Sequence, residues 1–402
     1  MQKKSLLVLL GILVLFAAII SAGCTSTDPE HPIVEIVEIT SAQQINSLAL
    51  GQIDGMINWQ PNVAATELAG IGTVISYSQD LPRPDNKTWE DHTCCVFGCN
   101  EDGLENTDMA TVLTGLMLLG NAYVNEYPNE SAESVSNWMY GTTDPTFGTE
   151  TLEGIDIITK SLPTINFKTD ITEKWLDSNY EFIEIQRDLN IIMDNLASLP
   201  RNETEELIYD FGPYAAAKKI IDENGKFPEP VSETIKIGYL LSDHDAPLFV
   251  LLKNWEYFAN KYNTYLKPTK EKDGAISKAE LYVNGKKICD VELIQGSGGQ
   301  NLMTVMQTNE IQYAIAGSSP YFTSIDIQPD LKILSPIMTE GSALMVDINA
   351  PATTWDEFVQ WALQRNAEGN PLLIATPQFN SIQDVQLRYA LESAGITYQK
   401  KR

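Results

Sequence analysis

The spacing of apolar residues predicts an α/β protein over most of the chain. Apolar residues at every second position indicate strands, and apolar residues three or four positions apart indicate amphipathic helices. Strands that alternate with such helices usually pair in parallel within one sheet. From residue 33 the first series reads as strand VEIVEI, helix SAQQINSLALGQ, strand GMINW, helix NVAATELAG and strand TVISYSQ.

A second series of the same kind begins past the middle of the chain. Ile235, Ile237 and Tyr239 alternate with polar or small residues, which indicates a strand. The following turn, residues 242–245, and Pro247 are typical of the start of a helix. Later strands are predicted around residues 281–283 and at ICDVELIQ, YAIAG, LKILSP, SALMVDI and LLIATP, and no strand is predicted after the last helix, IQDVQLRYALESAG.

The chain between the two series reads as one apolar strand, CCVFGC, followed by helices and a connector. Apolar residues at helical spacing predict helices at 109–127, 131–140, 149–158 and 173–196. Residues 200–230 are charged and bounded by prolines, which predicts a connector with one short helix. Within the second series, the lysine-rich stretch 267–279 reads as a polar excursion outside the sheet.

Composition and charge restrict the class of protein and its partners. The chain has 402 residues, of which 43% are hydrophobic and 20% charged, and this suits a folded protein of two or three lobes. Its formal net charge is −27, which opposes contact with nucleic acid phosphates or with anionic lipid head groups. We therefore predict that the protein binds no nucleic acid.

The N-terminus has the pattern of an export signal. Two lysines precede an apolar run at residues 6–20, which is too short for an ordinary membrane span. Small residues then precede Cys24 and resemble the lipobox of lipoproteins. We predict a signal peptide at 1–23, lipid attachment at Cys24 on the outer face of the cell membrane, and a tether at 24–32. An uncleaved N-terminal anchor is the alternative.

The remaining cysteines are Cys94, Cys95, Cys99 and Cys289. Neighbouring residues on a strand point to opposite faces, so Cys94 and Cys95 are poorly placed to share one metal ion. We predict neither a metal site nor a cofactor. Buried free thiols are the favoured interpretation, and one disulfide among these cysteines is the alternative.

Several stretches of the second series resemble one family. IKIGYLLSDHDAPLFV, GSGGQNLMTVMQTNEIQYAIAG, EGSALMV and IATP with SIQDVQLRYALESAG are similar to the N-terminal half of the nitrate/sulfonate/taurine-type solute-binding proteins of ABC importers. VEIVEITSAQQINSLALGQIDGMINWQP and HTCCVFG are similar to the C-terminal half. The resemblance implies a type II periplasmic-binding-protein-like fold, in which two α/β lobes joined by two crossovers close on a small solute.

The two halves stand in reversed order, which predicts a circular permutation of that fold. Joining Arg402 to Ile33 would restore the family order, and residues 200–230 would connect the ancestral ends. A fragment of two tandem copies is the alternative, and it would be unstable or would pair with a second chain. The predicted smaller lobe is 33–79 plus 349–402, the larger lobe is 80–348, and the crossovers lie near 79–84 and 348–354.

The resemblance implies an extracytoplasmic, lipid-anchored binding protein that delivers a small-molecule solute to permease and ATPase subunits and is not an enzyme. Two alternatives remain. The pyrimidine-precursor synthases share this fold, and their cysteine-rich motif resembles residues 92–99. A sensory ectodomain could use the same two lobes without transport. The sequence contains no catalytic triad motif, P-loop, HExxH or dinucleotide fingerprint, which favours binding over catalysis.

Glycine-rich turns before helices leave backbone N–H groups free for an anion, and neighbouring serines add hydroxyl groups. This favours a small oxyanion such as a sulfonate. Asp243 and Asp245 instead suit a cationic or hydrogen-bonding part of the ligand, and the charge of His244 can vary. Amines, pyrimidines and zwitterions therefore remain alternative ligands. The predicted ligand-binding residues are Trp59, Ser242, Asp243, His244, Gly298, Gly299, Gln300, Gly317, Ser318, Ser319, Glu340, Ser342, Thr376 and Ser381.

Overall fold

The computed structural model describes residues 32–401, so the predicted signal peptide and Cys24 lie outside the described residues. The strands are β1 (Ile33–Glu38), β2 (Gly55–Trp59), β3 (Gly72–Tyr77), β4 (Cys95–Asn100), β5 (Thr146–Phe147), β6 (Glu150–Thr151), β7 (Ile165–Phe167), β8 (Thr234–Leu240), β9 (Tyr265–Lys272), β10 (Ala275–Val283), β11 (Lys286–Gly296), β12 (Tyr313–Gly317), β13 (Leu331–Pro336), β14 (Met338–Glu340), β15 (Ser342–Asp347), β16 (Leu373–Thr376) and β17 (Thr397–Lys401).

The α-helices are α1 (Ser41–Ala49), α2 (Asn62–Leu68), α3 (Glu101–Glu105), α4 (Thr107–Glu126), α5 (Pro128–Tyr140), α6 (Gly154–Ser161), α7 (Glu173–Asp188), α8 (Arg201–Ile208), α9 (Gly212–Asp222), α10 (Ala246–Lys253), α11 (Trp255–Tyr262), α12 (Gly299–Gln307), α13 (Ser318–Ile327), α14 (Trp355–Ala367) and α15 (Ile382–Ser393). Within residues 32–401 no helix has both the length and the apolar character that a membrane span requires.

Two mixed sheets form the two lobes. The smaller lobe has the six-stranded order β17-β1-β16-β2-β15-β3, and the larger lobe has the seven-stranded order β13-β4-β12-β8-β11-β10-β9. Central strands such as β4 and β12 are almost entirely buried, because helices cover both faces of the sheet. The observed architecture is the two-lobed α/β arrangement that the alternation of strands and helices predicts.

Each sheet contains one antiparallel strand from the opposite half of the chain. In the larger lobe β4 lies between β12 and β13 and runs antiparallel to both. In the smaller lobe β15 lies between β2 and β3 and runs antiparallel to both. Neither half of the chain can therefore complete a sheet alone, since the larger sheet takes β4 from the first half and the smaller sheet takes β15, β16 and β17 from the second half.

The crossover from the larger to the smaller lobe lies earlier than predicted. β14 ends at Glu340 and pairs with β7, whereas β15 begins at Ser342 and joins the smaller sheet. The boundary predicted at residue 348 and the crossover predicted at 348–354 are therefore wrong, because residues 342–347 belong to the smaller sheet. The other crossover runs from Tyr77, where β3 ends, to Cys95, where β4 begins.

The C-terminal strand β17 contradicts the expectation that no strand follows the last helix. It pairs in parallel with β1, with Ile33 opposite Thr397 and Val37 opposite Lys401. Its sequence is TYQKK, and four of its five residues are exposed because it is the outermost strand of the sheet. An edge strand with few buried side chains has no apolar alternation that the sequence pattern could detect.

Three further segments differ from the predictions. The stretch 267–279 forms most of β9, which is the exposed edge strand of the larger sheet, and the first part of its neighbour β10. The helix α7 ends at Asp188 instead of extending to 196, because the chain turns at Asn190 with a φ of +53°. The connector 200–230 contains two helices, and α9 packs on α4.

The helix α4 approaches the first turn of α10 so closely that Gly120 has no room for a side chain. A Cβ atom there would lie 2.6 Å from the carbonyl oxygen of Pro247 and 3.1 Å from its Cα. We expect Gly120→Ala to lower the free energy of unfolding in urea by about 1–3 kcal/mol through overpacking. Gly225→Ala is the control, because its nearest contact would be an ordinary 3.6 Å. Equal stability of the two variants would contradict this account.

Candidate functional site

A cavity lies between the two lobes, with an empty volume of about 470 Å³ that includes its opening to solvent. The smaller lobe contributes Trp59 and residues of the segment 378–383, and the larger lobe contributes the remainder. The lining residues are Trp59, Cys94, Cys95, Leu240, Ser242, His244, Gly299, Gly317, Pro320, Gln378, Ser381, Ile382 and Gln383.

Four of the lining residues lie at the N-terminal ends of helical turns. Gly299 begins α12, Gly317 precedes α13, Ser381 precedes α15, and Ser242 precedes the short 3₁₀ turn Asp243–Asp245. The first N–H groups of a helix have no partner within the helix, and the helix dipole makes this end positive. Three of these turns come from the larger lobe and one from the smaller, so their positive ends converge on one cavity.

The serines at two of these turns, Ser242 and Ser381, also fix the local structure. The Ser381 Oγ accepts a hydrogen bond from the Asp384 backbone N–H at 3.3 Å, and the Ser242 Oγ accepts one from the His244 backbone N–H at 3.2 Å. The Ser242 hydroxyl also donates to the Gln60 carbonyl oxygen at 2.8 Å. Because Gln60 follows a strand of the smaller sheet, this hydrogen bond joins the two lobes beside the cavity.

His244 and two cysteines form one wall of the cavity, and all three residues are buried. The His244 Nε2 lies 2.9 Å from the Gly341 carbonyl oxygen, and its Nδ1 lies 3.7 Å from the sulfur atoms of both Cys94 and Cys95. The two sulfur atoms are 3.9 Å apart. Among residues 32–401, these are the side chains that bring three potential metal-binding atoms within 4.8 Å of one another.

The sequence argument against a shared site for Cys94 and Cys95 is therefore wrong. β4 begins at Cys95, so Cys94 lies outside the regular strand and the alternation of side chains does not apply across the pair. Both sulfur atoms point toward the same imidazole ring. The signal available in the sequence was the adjacency of two cysteines at the start of a strand, but their histidine partner is 150 residues away.

Burial changes the ionisation of the groups around His244. It raises the pKa of Asp243 to about 6, although the neighbouring His244 and the Ser161 hydroxyl oppose that rise. The Cys94 sulfur and burial together raise the pKa of Cys95 well above its ordinary value. Burial alone would lower the pKa of His244, but the Cys95 sulfur, the Asp243 carboxylate and the Gly341 carbonyl oxygen outweigh it and raise the pKa to about 9.

Six of the predicted ligand-binding residues line the cavity: Trp59, Ser242, His244, Gly299, Gly317 and Ser381. The other eight do not line it: Asp243, Gly298, Gln300, Ser318, Ser319, Glu340, Ser342 and Thr376. Several of these eight are engaged elsewhere. Ser319 donates to the Asn380 carbonyl oxygen at 2.6 Å, Gln300 donates to Ser324 at 3.0 Å, and Glu340 accepts from the Asp91 N–H at 3.0 Å. Their part in ligand binding stays a prediction.

Sequence reasoning missed two amides in the wall of the smaller lobe, Gln378 and Gln383. The Gln383 Nε2 donates to the Ser342 Oγ at 2.8 Å. Ser342 therefore does not face the cavity itself, but it positions the Gln383 amide, which does. Gln383 lies two residues after Ser381, in the first turn of α15. That position was the signal in the sequence, since side chains of a first helical turn lie beside the free N–H groups.

A two-lobed α/β fold with a cavity between the lobes at converging helix N-termini is the arrangement of periplasmic-binding-protein-like solute-binding proteins. The comparisons agree with this class. A model of the NMT1-like family matches residues 228–401. An uncharacterized protein of Methanocaldococcus jannaschii is 32% identical over 115 residues, which are 28% of this chain and 77% of that protein. No solved structure matches the chain. The chain belongs to the NMT1-like family, which is part of the nitrate/sulfonate/taurine-binding group.

The crossover residue Gly341 adopts a φ of +79°, and a Cβ atom there would lie 2.8 Å from the His244 Nε2. Gly341→Ala therefore adds a steric clash to the backbone strain of a left-handed residue. Gly369→Ala is a matched control, because its φ is +72° and its Cβ would meet nothing within 4 Å. We expect Gly341→Ala to lower the free energy of unfolding in urea by about 1–3 kcal/mol more than Gly369→Ala.

Displacement of the imidazole should accompany the loss of stability in Gly341→Ala. The hydrogen bond from the His244 Nε2 to the Gly341 carbonyl oxygen would lengthen or break, and NMR of the imidazole would report this. Equal losses of stability in the two glycine variants, with an unchanged His244 signal, would contradict the tight contact described here.

Proposed function

We propose that the chain is the extracytoplasmic, lipid-anchored solute-binding component of an ABC importer. The observation that carries the proposal is the convergence of four helical N-terminal turns from both lobes on a cavity between them. A small solute held there would contact both lobes at once, so binding would stabilise the closed form of the pair. Permease subunits that recognise the closed form would then receive the solute.

A small oxyanion such as a sulfonate is the ligand class that the cavity favours. Free N–H groups at helix N-termini bind oxyanions, and the side-chain amides of Gln378 and Gln383 add further donors. No lysine or arginine is among the described residues that line the cavity. The solute would therefore be held mainly by neutral hydrogen-bond donors and helix dipoles.

The partners follow from the proposed role. An importer needs permease and ATPase subunits, and the binding protein must stand at the outer face of the membrane near the permease. Lipid attachment at Cys24 would hold it there through a tether at residues 24–32. The net charge of −27 would keep the protein away from anionic head groups except at that anchor.

Ligand binding is tested by thermal unfolding of the purified protein against taurine, alkanesulfonates, nitrate, bicarbonate, aminopyrimidines and amino acids. We expect one ligand class, the small oxyanions, to raise the midpoint of unfolding. A ligand at 100 times its dissociation constant should add about 2.7 kcal/mol to the free energy of unfolding. Stabilisation by amines or pyrimidines alone would contradict the proposal that the ligand is an oxyanion. No response to any compound would count against the solute-binding role.

A pair of tryptophan variants locates the binding site. Trp59 lines the cavity, whereas Trp361 lies on α14 in the same lobe, is also only partly buried, and is not among the lining residues. We expect Trp59→Ala to raise the ligand concentration needed for a given stabilisation at least tenfold, which corresponds to about 1.4 kcal/mol of binding free energy. Trp361→Ala should keep the response of the unchanged protein. Equal responses of the two variants would place the ligand elsewhere.

We also propose that the chain is a circular permutant of the family fold. In support, β1 lies between β16 and β17, and the Thr397 backbone N–H donates to the Pro32 carbonyl oxygen at 2.8 Å. The end of the last helical segment thus adjoins the start of β1, where an unpermuted chain would continue directly. The rejoining point proposed from this geometry is Ile396 to Ile33, and not Arg402 to Ile33, because Lys401 lies opposite Val37, at the far end of that strand from Ile33.

The order of the halves is tested by mass and by truncation. We expect the full chain to be a monomer with one cooperative unfolding transition. A chain that stops after Ile396 should stay folded, with a small loss of stability, because β17 is an exposed edge strand. A dimer that exchanges strands between chains would instead favour the tandem-copy fragment, and so would a chain without a cooperative transition.

A further inference from the structure

The wall of the cavity contains three sulfur and nitrogen atoms with no assigned role. The Cys94 and Cys95 sulfur atoms and the His244 Nδ1 lie within 4.8 Å of one another, and each of the three residues is at most 4% exposed. The sulfur atoms are 3.9 Å apart, well beyond the bonded distance of about 2.05 Å, so the pair is reduced. The solute-binding role proposed above does not require two thiols and an imidazole at this place.

The distances between these atoms match those between ligands of a tetrahedral zinc ion. With Zn–S bonds of about 2.3 Å and Zn–N bonds of about 2.0–2.1 Å, neighbouring ligand atoms in a tetrahedron lie roughly 3.5–3.8 Å apart. The observed separations are 3.7, 3.7 and 3.9 Å. An ion could therefore be bound with only small rotations of the three side chains.

The environment of His244 is also that of a metal ligand. Ligating histidines commonly donate their other ring N–H to a carbonyl or carboxylate oxygen, which fixes the orientation of the ring. Here the His244 Nε2 faces the Gly341 carbonyl oxygen at 2.9 Å, and the Nδ1 faces both sulfur atoms. The hydrogen bond to Gly341 therefore holds the ring with its second nitrogen directed at the two cysteines.

We propose that Cys94, Cys95 and His244 bind a thiophilic divalent cation of the Zn²⁺ kind in the wall of the cavity. Two thiolates and an imidazole are the ligands that such ions prefer over carboxylates and carbonyls. All three residues line the cavity, so the fourth coordination position faces it. If the cavity binds a solute as proposed above, a donor atom of that solute would complete the tetrahedron. The cation site itself does not depend on the transport role.

The test uses the full chain, freed of metal with a chelator and kept reduced, and titrated with Co²⁺ as a spectroscopic probe. We expect the visible bands of tetrahedral cobalt and a thiolate-to-cobalt charge-transfer band to saturate at one ion per chain. One equivalent of Zn²⁺ should then abolish both bands. Loss of Cys94, Cys95 or His244, in Cys94→Ala, Cys95→Ala or His244→Gln, should weaken binding at least about 100-fold.

The matched control is Cys99→Ala, which removes a buried thiol of the same strand that is not part of the cluster. It should bind Co²⁺ as the unchanged chain does. A second measurement needs no variant and so does not depend on the folding of one. One equivalent of Zn²⁺ should protect Cys94 and Cys95 from alkylation, and peptide mass spectrometry would identify them.

The proposal is overturned if the reduced chain shows no charge-transfer band, if Cys95→Ala keeps the band, or if Zn²⁺ leaves the alkylation of both cysteines unchanged. Solute-induced thermal stabilisation of the metal-free protein is measured separately. A chain that responds to solute but binds no Co²⁺ would retain the solute-binding role and lose the cation site. A chain that binds Co²⁺ but no solute would retain the cation site and lose the solute-binding role.

Discussion

The sharing of strands between the two halves of the chain, in both sheets, is the constraint on which the rest of the structure depends. β4 completes the larger sheet between two strands from the second half, and β15 completes the smaller sheet between two strands from the first half. An unpaired backbone group inside a sheet loses its hydrogen bond, so each half requires the other. The same sharing of strands forces the chain to cross twice between the lobes, and the cavity lies between the lobes that these crossings join.

The two crossovers also assemble the polar wall of the cavity. The first ends where β4 begins, and it places Cys94 and Cys95 beside the turn that follows β8. The second passes through Glu340 and Gly341, which both have positive φ, and it presents the Gly341 carbonyl oxygen to His244. A left-handed glutamate is uncommon and costs conformational energy. Its position at the crossover indicates that the path of the chain there is dictated by the site and the two sheets.

The net charge of the whole protein does not by itself set the potential inside the cavity. The net charge of −27 is spread over a large surface, and salt screens its effect beyond a distance of about 8–10 Å. The cavity is governed by nearby groups, namely the helical N-terminal turns and His244, whose pKa is raised to about 9. The potential that a small molecule would meet in the cavity is therefore set locally, whereas the net charge opposes contact with polyanions.

The sequence by itself determined which segments form most of the strands and helices, and it identified the turns at Ser242, Gly299, Gly317 and Ser381 that line the cavity. These features follow from local patterns, because burial periodicity and capping chemistry involve neighbours along the chain. It missed β17, β9 and the first part of β10, since β17 and β9 are edge strands with few buried side chains, and it placed the crossover seven or more residues too late. It also treated the two adjacent cysteines as unsuited to a common site.

Only the tertiary structure decided which residues meet. Cys94 and His244 are 150 residues apart, and Gln383 is 41 residues from the serine that positions it. Such contacts depend on the pairing of β4 with β12 and of β15 with β2, and strand pairing between distant segments leaves no periodic signal in either one. The sequence therefore determined the elements and their capping residues. The order of strands across the two sheets determined the cavity, its cysteine–histidine cluster and the point where the lobes join.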